Sequence, residues 1–336
     1  MAKINLLDCT LRDGGYINDW KFGEEAIKDM IRKLESTHVE ILELGFLKDE
    51  PYKKERTVFN DMAQVRQLIG KKKAGVEYAV MCEVVNPLPL EKLLPFSENT
   101  ADIIRVIVWK DKHDKEGNVV DALEDGYRYC EGIAKKGYKL CVQPARVDQY
   151  SDDEFVSMVR RFSQLDPYAI YVVDSWGTQN PERLVHYMHL ADDNMPEKIC
   201  LGYHGHNNLM QALPAAQTML HENFKRDVII DASVYGIGRG AGNLNLEIIA
   251  KYLNEKYMKS YDNMPALDVY AKYIAYIYRD IEKWGYSIPY YLTAANNCNP
   301  AYARALEREN PEEINRILSK LTQEDRVIFN KDILKI

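Results

Sequence analysis

The chain reads as an α/β protein, a (β/α)8 TIM barrel with a C-terminal helical appendage. Three observations predict it. Strand-like and helix-like segments alternate eight times within the 336 residues, over a span that suits such a barrel. The strand-like runs are continuously apolar, as parallel strands buried on both faces should be. Polar residues recur just past the ends of those runs, where a barrel builds its active site. A doubly wound open sheet would carry a Gly-rich turn after its first strand, and Arg12-Asp13-Gly14-Gly15 does not match that pattern. The barrel is expected over residues 1–260 and the helical appendage, packed upon it, over 261–336.

The elements follow in order. Residues 4–9 form the first strand. Residues 22–35 follow as a helix, with Ala26, Ile27, Met30, Ile31 and Leu34 near helical spacing. Residues 39–45 are the second strand, and 57–69 a helix with Val58, Met62, Val65 and Leu68 on one face. Residues 75–81 are the third strand, 87–96 a short helical link and 103–109 the fourth strand. A helix is expected over 119–136 and the fifth strand over 139–143. Ser151 with Glu154 makes a capping box that opens the next helix. The sixth strand spans 170–174, and Pro181 suits the first turn of the helix after it. Residues 198–201 are the seventh strand, with a helix starting at Leu209; 228–234 are the eighth, followed by a helix over 244–257. Beyond Pro265 the pattern turns helical, over 267–284, 311–321 and 324–333.

Composition narrows the function. The chain is 46% apolar and 28% charged with a net charge of −7, which supports neither a nucleic-acid nor a membrane-surface role. It contains no apolar run of eighteen residues, so no membrane span is expected. Residues 1–5 carry no signal-peptide pattern. The six cysteines form no C-x-x-C, and four of them sit in strand-like runs. Buried reduced thiols in a cytoplasmic protein are expected.

The chemistry gathers around His204-Gly205-His206, at the end of the seventh strand. Alternation along a strand points both imidazoles the same way, and neutral imidazoles bind Zn²⁺, Mn²⁺ and similar ions. Asp13 would complete a three-ligand site, and Asn243 offers a fourth oxygen. Both also suit plainer duties, Asp13 as a turn cap and Asn243 as the N-cap of a helix starting at Leu244. Arg12 would set a guanidinium beside the metal, suited to a developing enolate; a buried ion pair with Glu43 is the compatible plain alternative. Gln143, Asp174 and Ser175 stand at other strand ends. Gly236, Gly238, Gly240 and Gly242 allow the backbone to approach an anion closely.

Residues 7–14 (Leu-Asp-Cys-Thr-Leu-Arg-Asp-Gly), Glu43 with Gly45, His204-Gly205-His206-Asn207 and Gly238-Arg239-Gly240-Ala241-Gly242-Asn243 together resemble the DRE-TIM metallolyases, the HMGL-like family. The likeness spans residues 4–257 and is greatest to the 4-hydroxy-2-oxovalerate aldolases. It implies a divalent-metal-dependent aldolase acting on a 4-hydroxy-2-oxo acid to give pyruvate and an aldehyde. Mn²⁺ is the expected ion, with Mg²⁺, Co²⁺ and Zn²⁺ as alternatives. By the resemblance, Asp13, His204 and His206 hold the metal, with Asn243 the candidate fourth ligand from its position alone. Arg12, paired with Glu43, stabilises the enolate, and Ser175 contacts the pyruvyl group. Gln143, Asp174 and, from the appendage, Tyr291 are the other expected substrate contacts. Family analogy adds an aldehyde dehydrogenase partner, and the helix around Tyr270, Tyr273 and Tyr276 is an expected surface for homo-oligomer formation. One departure bears on mechanism: Tyr16 stands where those aldolases place a catalytic His. The base is then metal-bound hydroxide, a shifted Tyr16, or Tyr290 or Tyr291. A Claisen-type condensation of an acyl-CoA with a 2-oxo acid, and a non-catalytic relative, are the alternative functions.

Overall fold

Eight parallel strands close into a barrel in this computed structural model, which describes residues 2–84, 87–113 and 119–335. The strands are β1 (Ile4–Asp8), β2 (Ile41–Leu47), β3 (Glu77–Glu83), β4 (Ile103–Val108), β5 (Lys139–Pro144), β6 (Ala169–Asp174), β7 (Cys200–Gly205) and β8 (Val228–Ala232). Closure is made by β1, which pairs Ile4↔Val228 through Asp8↔Ala232 on one edge and Leu7↔Ile41 on the other. No helix of the described residues is long and apolar enough to cross a membrane.

Strand alternation sorts the core into two layers. Leu7, Ile41, Ala79, Ile103, Cys141 and Ile229, with others from β6 and β7, fill the barrel axis. Their neighbours, such as Leu6, Leu42, Val80 and Ile104, face outward and bury against the helices. Each such side chain contributes about 1.5–3 kcal/mol when fully buried, and the larger outer layer carries most of that burial.

The helices around the barrel are α1 (Glu24–Glu35), α2 (Met62–Ile69), α3 (Leu123–Lys135), α4 (Asp152–Ser163), α5 (Pro181–Asn194), α6 (Ala212–His221) and α7 (Leu246–Tyr257). The Ser151–Glu154 capping box and Pro181 in the first turn are both present. Several expectations need correction, among them the helix expected from Leu209, which begins at Ala212. Residues 87–96 form turns rather than a helix, because Pro87, Pro89 and Pro95 remove backbone donors. The helix expected from residue 57 starts at Met62 with Asp61 as its cap, and Val58–Phe59 instead extend the sheet beside β2. Residues Val119–Asp121 pair antiparallel with Asp111–His113, so that helix begins at Leu123. The helix expected from residue 244 begins at Leu246, with Asn245 at its N-cap, so Asn243 is not a cap.

The C-terminal stretch is helical, as expected. Residues 264–281 run as one helical segment that includes two π-helical turns. Its Ala266, Val269, Ile274 and Ile277 join the barrel's outer core. Tyr273 donates to Asp29 and Tyr270 packs on Tyr235, while Tyr276 is exposed. Four shorter α-helices follow, α8 (Ile288–Ala295), α9 (Ala301–Ala305), α10 (Pro311–Lys320) and α11 (Gln323–Val327), then a 3₁₀ helix over Lys331–Lys335, so the helix expected over 324–333 is broken after Val327. Cys298, Tyr302, Leu306, Ile314 and Leu318 gather there into a separate small core. All six cysteines are free and buried.

Candidate metal centre and active site

The two-residue step that fills the barrel axis also builds the site. In β2 it leads from Ile41 to Glu43, in β4 from Ile103 to Arg105, and in β8 from Ile229 to Asp231. These three charged residues are essentially without solvent exposure. They form one network: Arg105 Nη1 lies 2.8 Å from Glu43 Oε2, and Arg105 also pairs with Asp231. Glu43 Oε2 accepts from Arg12 Nε at 2.7 Å, and Arg12 pairs in turn with Asp13. The Arg12 carbonyl is held by Trp20 Nε1 at 2.7 Å, and the neighbouring Leu11 carbonyl by Thr57 Oγ1 at 2.7 Å. Arg12 and its fork are therefore fixed from several sides.

One step higher on the strands stand the cavity walls. Asp13, His204 and His206 are buried together, and their ligand atoms lie within 4.8 Å of one another. The imidazole rings are 5.1 Å apart and nearly perpendicular. Asp231 Oδ2 is 2.9 Å from His204 Nδ1, which turns the other ring nitrogen toward the centre, as carboxylates behind metal-bound histidines do. His206 Nδ1 is buried without a hydrogen-bond partner, 4.0 Å from Asp13 Oδ2. That gap is too long for a hydrogen bond. It is close to the separation of roughly 3–4 Å expected between two ligands flanking one ion.

The charges agree. Burial pushes the His206 imidazolium down to about 3, so the ring is a neutral donor. Burial would raise the Asp13 carboxyl, but the Arg12 guanidinium, His206, His204 and the Asn243 amide together outweigh it and hold that group well below the usual range. Arg105 and His204 together lower Asp231 in the same way. In the buried network two guanidiniums face three carboxylates, so an excess negative charge remains for a cation to meet. The donor set therefore fits a divalent ion. Asn243 fits in part: its amide nitrogen donates to Asp13 Oδ2 at 2.8 Å, while its oxygen is buried without a partner. Gly238 lies against both residues, and a side chain there would collide with the Asn243 amide and the Asp13 carboxylate.

These ligands open onto a cavity whose walls also include Arg12, Tyr16, Gln143 and Ser175. Ser175 Oγ accepts from the Arg146 backbone at 3.0 Å. With its amide oxygen turned toward Arg105, Gln143 accepts at 3.1 and 3.2 Å and leaves its amino group facing the space. Tyr16 packs edge-on to Trp20 and Phe46. Burial, reinforced by Glu83, pushes its phenol above the ordinary value, the direction opposite to what a base requires.

Two of the residues expected in contact with substrate, Asp174 and Tyr291, stand elsewhere, and Glu43 pairs with Arg12 as expected but below the cavity. Asp174 falls between the inward-facing Val173 and Ser175, so alternation turns it away; its oxygens accept from Thr178 N and Gln179 N at 3.1 Å each. Glu43 lies beneath the cavity, bridging Arg12 and Arg105. Tyr291 is 44% exposed and outside the cavity wall; on α8 it is Tyr290 that turns inward. Conversely, Glu83, Trp109 and Arg239 line the cavity unforeseen. The step from Ala79 through Met81 to Glu83 was the available signal for the first of these.

A closed parallel barrel with two imidazoles and a carboxylate at its carboxyl end defines a class, the TIM barrels with a site there that fits a divalent metal. The sequence pattern of one such family, HMGL-like, matches residues 3–271, and the chain belongs to that family. It is similar to an oxaloacetate decarboxylase of Mycobacterium tuberculosis, 22% identical over 268 residues, covering 75% of this chain and 70% of the relative. It is also similar to a 4-hydroxy-2-oxovalerate aldolase of Bacillus cereus, 22% identical over 277 residues, covering 81% and 76%. The solved N-terminal domain of a Bacteroides vulgatus aldolase candidate shares the fold with a TM-score of 0.74 at 21% identity, covering 93% of this chain and 99% of that one. The chain is an enzyme of the carbon–carbon lyase class.

Proposed function

We propose that the enzyme cleaves a 4-hydroxy-2-oxo acid to pyruvate and an aldehyde, or joins them. The observation that carries this reading is the fixed Arg12 fork beside the Asp13, His204 and His206 cluster, both facing one cavity. A divalent ion held by those three residues, with Asn243 as a fourth donor and Mn²⁺ as the proposed ion, supplies Lewis-acid polarisation of the 2-oxo group. Ser175 and the Gln143 amino group orient the oxo-acid end. Arg12 donates to the oxygen on which negative charge develops, which is worth most in a dry site. Glu83 takes the proton of the C4 hydroxyl. The C3–C4 pair then moves into the pyruvate enolate as the C4 carbonyl forms, and C3 regains a proton to give pyruvate. Tyr16, neutral, serves as a hydrogen-bond donor at the C4 oxygen.

Loss of carbon dioxide from a 2-oxo diacid leaves the same enolate. The similarity to an oxaloacetate decarboxylase supports this second reading, in which no base is needed. The test is pyruvate release by the metal-supplied enzyme from a panel of 4-hydroxy-2-oxo acids and from oxaloacetate. Release from the hydroxy acids is expected, with Glu83→Gln lowering kcat on them by about 10²–10⁴-fold. Release from oxaloacetate alone would favour the second reading, and silence across the panel would remove both.

A further inference from the structure

A second cavity adjoins the first. It shares Tyr16 and Arg239 with it and continues to Tyr290, Ala301 and Arg304 of the C-terminal helices. Its position follows from the strand order. Tyr16 and Arg239 come from the loops after β1 and β8, which are neighbours in the sheet. Trp109, Gln143 and Ala145 come from the ends of β4 and β5, on the opposite side of the ring. A substrate whose oxo-acid end lies against Gln143 and Ser175 therefore sends its far end past Tyr16 toward the helices.

The charge there is unusual. Arg304 is paired with Glu282. The Arg239 backbone N–H donates to Asp13 Oδ2 at 3.2 Å, but its guanidinium has no carboxylate partner among the described residues and lies 5.9 Å from the centre of the Tyr16 ring. Elsewhere in the site each guanidinium is spoken for, Arg12 by Asp13 and Glu43, Arg105 by Glu43 and Asp231. A permanently charged planar fork left unpaired between two cavities is suited to a carboxylate carried by the ligand.

We propose that Arg239 is a specificity-determining residue, and that the aldehyde half of the substrate carries a carboxylate that Arg239 holds in the second cavity. The proposal rests on the aldol reading above. In that reading the distal carboxylate stays on the aldehyde. In a decarboxylation, an arginine clamped on the departing carboxylate would hold back its loss.

Two measurements test it. The first compares addition of pyruvate to succinic semialdehyde and to butanal, aldehydes of equal chain length with and without the acid. The native enzyme is expected to favour the acid by at least tenfold in kcat/KM. Arg239→Gln should collapse that ratio, and Arg239→Lys should restore part of it. Preference for butanal, or an equal fall on both aldehydes in Arg239→Gln, overturns the proposal; the equal fall would move Arg239 to the shared oxo-acid half. The second measurement is calorimetric binding of 2-oxoadipate against 2-oxohexanoate, which needs no turnover. Tighter binding of the diacid by at least tenfold, lost in Arg239→Gln, supports Arg239 as the residue that holds a distal carboxylate; if no aldehyde then reacts, it is the aldol reading that fails and not the carboxylate site. Equal binding of the two acids overturns it.

Discussion

Two layers of the barrel's carboxyl end, one strand step apart, are built on opposite terms. In the deep layer Glu43, Arg105 and Asp231 have no solvent exposure to speak of and are bound to one another. In the upper layer Glu83, Trp109, Tyr16 and Arg239 are only half buried, face open space and make few bonds within the protein. Stability alone does not account for the deep layer. Removing such charges from water costs several kcal/mol each, and well-packed apolar residues of the same volume are often more stable. Its charges are intelligible through what they hold: Asp231 orients His204, and Glu43 orients Arg12. The deep layer sets geometry, and the upper layer is left free to meet a substrate.

The largest test of that division is the boundary between the layers. Asp13→Ala or His204→Ala should abolish tight metal binding by elemental analysis and lower activity by about 10³-fold or more, the scale of losing several kcal/mol of transition-state stabilisation. Full metal content in either variant would break the assignment of these ligands. Next comes Arg12→Lys, which keeps the charge but loses the fork. A fall in kcat of about 10²–10³-fold is expected from loss of a donor at the developing oxyanion, with little change in Tm. Arg12→Ala should instead unfold readily, because stripping one partner from a buried pair costs about 3–5 kcal/mol. If lysine proves as destabilising as alanine, Arg12 belongs to the scaffold alone.

Asp231→Asn probes the deep layer without touching the cavity. Metal affinity is expected to weaken by about 10–100-fold, as when the carboxylate behind a ligating histidine is lost, with activity restored by excess metal. Activity that stays low under saturating metal would show that Asp231 does more than hold His204.

How much of this was legible in the sequence follows the same division. Apolar runs and their spacing give all eight strands, because burial on both faces leaves a strong local signature. His204 and His206 declare themselves because they sit two apart on one strand. Arg12 and Asp13 are candidates from their place at the end of the first strand, and the resemblance adds their roles. Asp231 was not singled out as a site residue, since its partners His204 and Arg105 are 27 and 126 residues away and no local pattern marks the pairing. Asp174 and Glu83 are a different lesson. Strict alternation, applied from Tyr171 and from Ala79, turns the first outward and the second inward, so both were within reach. The turns over residues 87–96 and the start of α2 depend on prolines and a cap rather than periodicity, which is why helical spacing overran them.

The smallest expected effect belongs to Ser175, and it bears most directly on the upper layer. Its hydroxyl faces the cavity and accepts from the Arg146 backbone at 3.0 Å. If it only orients the oxo-acid end, Ser175→Ala should raise KM by less than about tenfold and leave kcat nearly unchanged, the pattern of lost uniform binding. Stability should also fall by about 1–3 kcal/mol, because the buried Arg146 N–H loses its acceptor. The two effects separate: Ser175→Thr keeps an acceptor for Arg146 while crowding the cavity, so it should recover the Tm and not the KM. A collapse of kcat in Ser175→Ala at unchanged KM would instead bring this hydroxyl to the reacting atoms. The upper layer would then hold a catalytic group on the side opposite Tyr16.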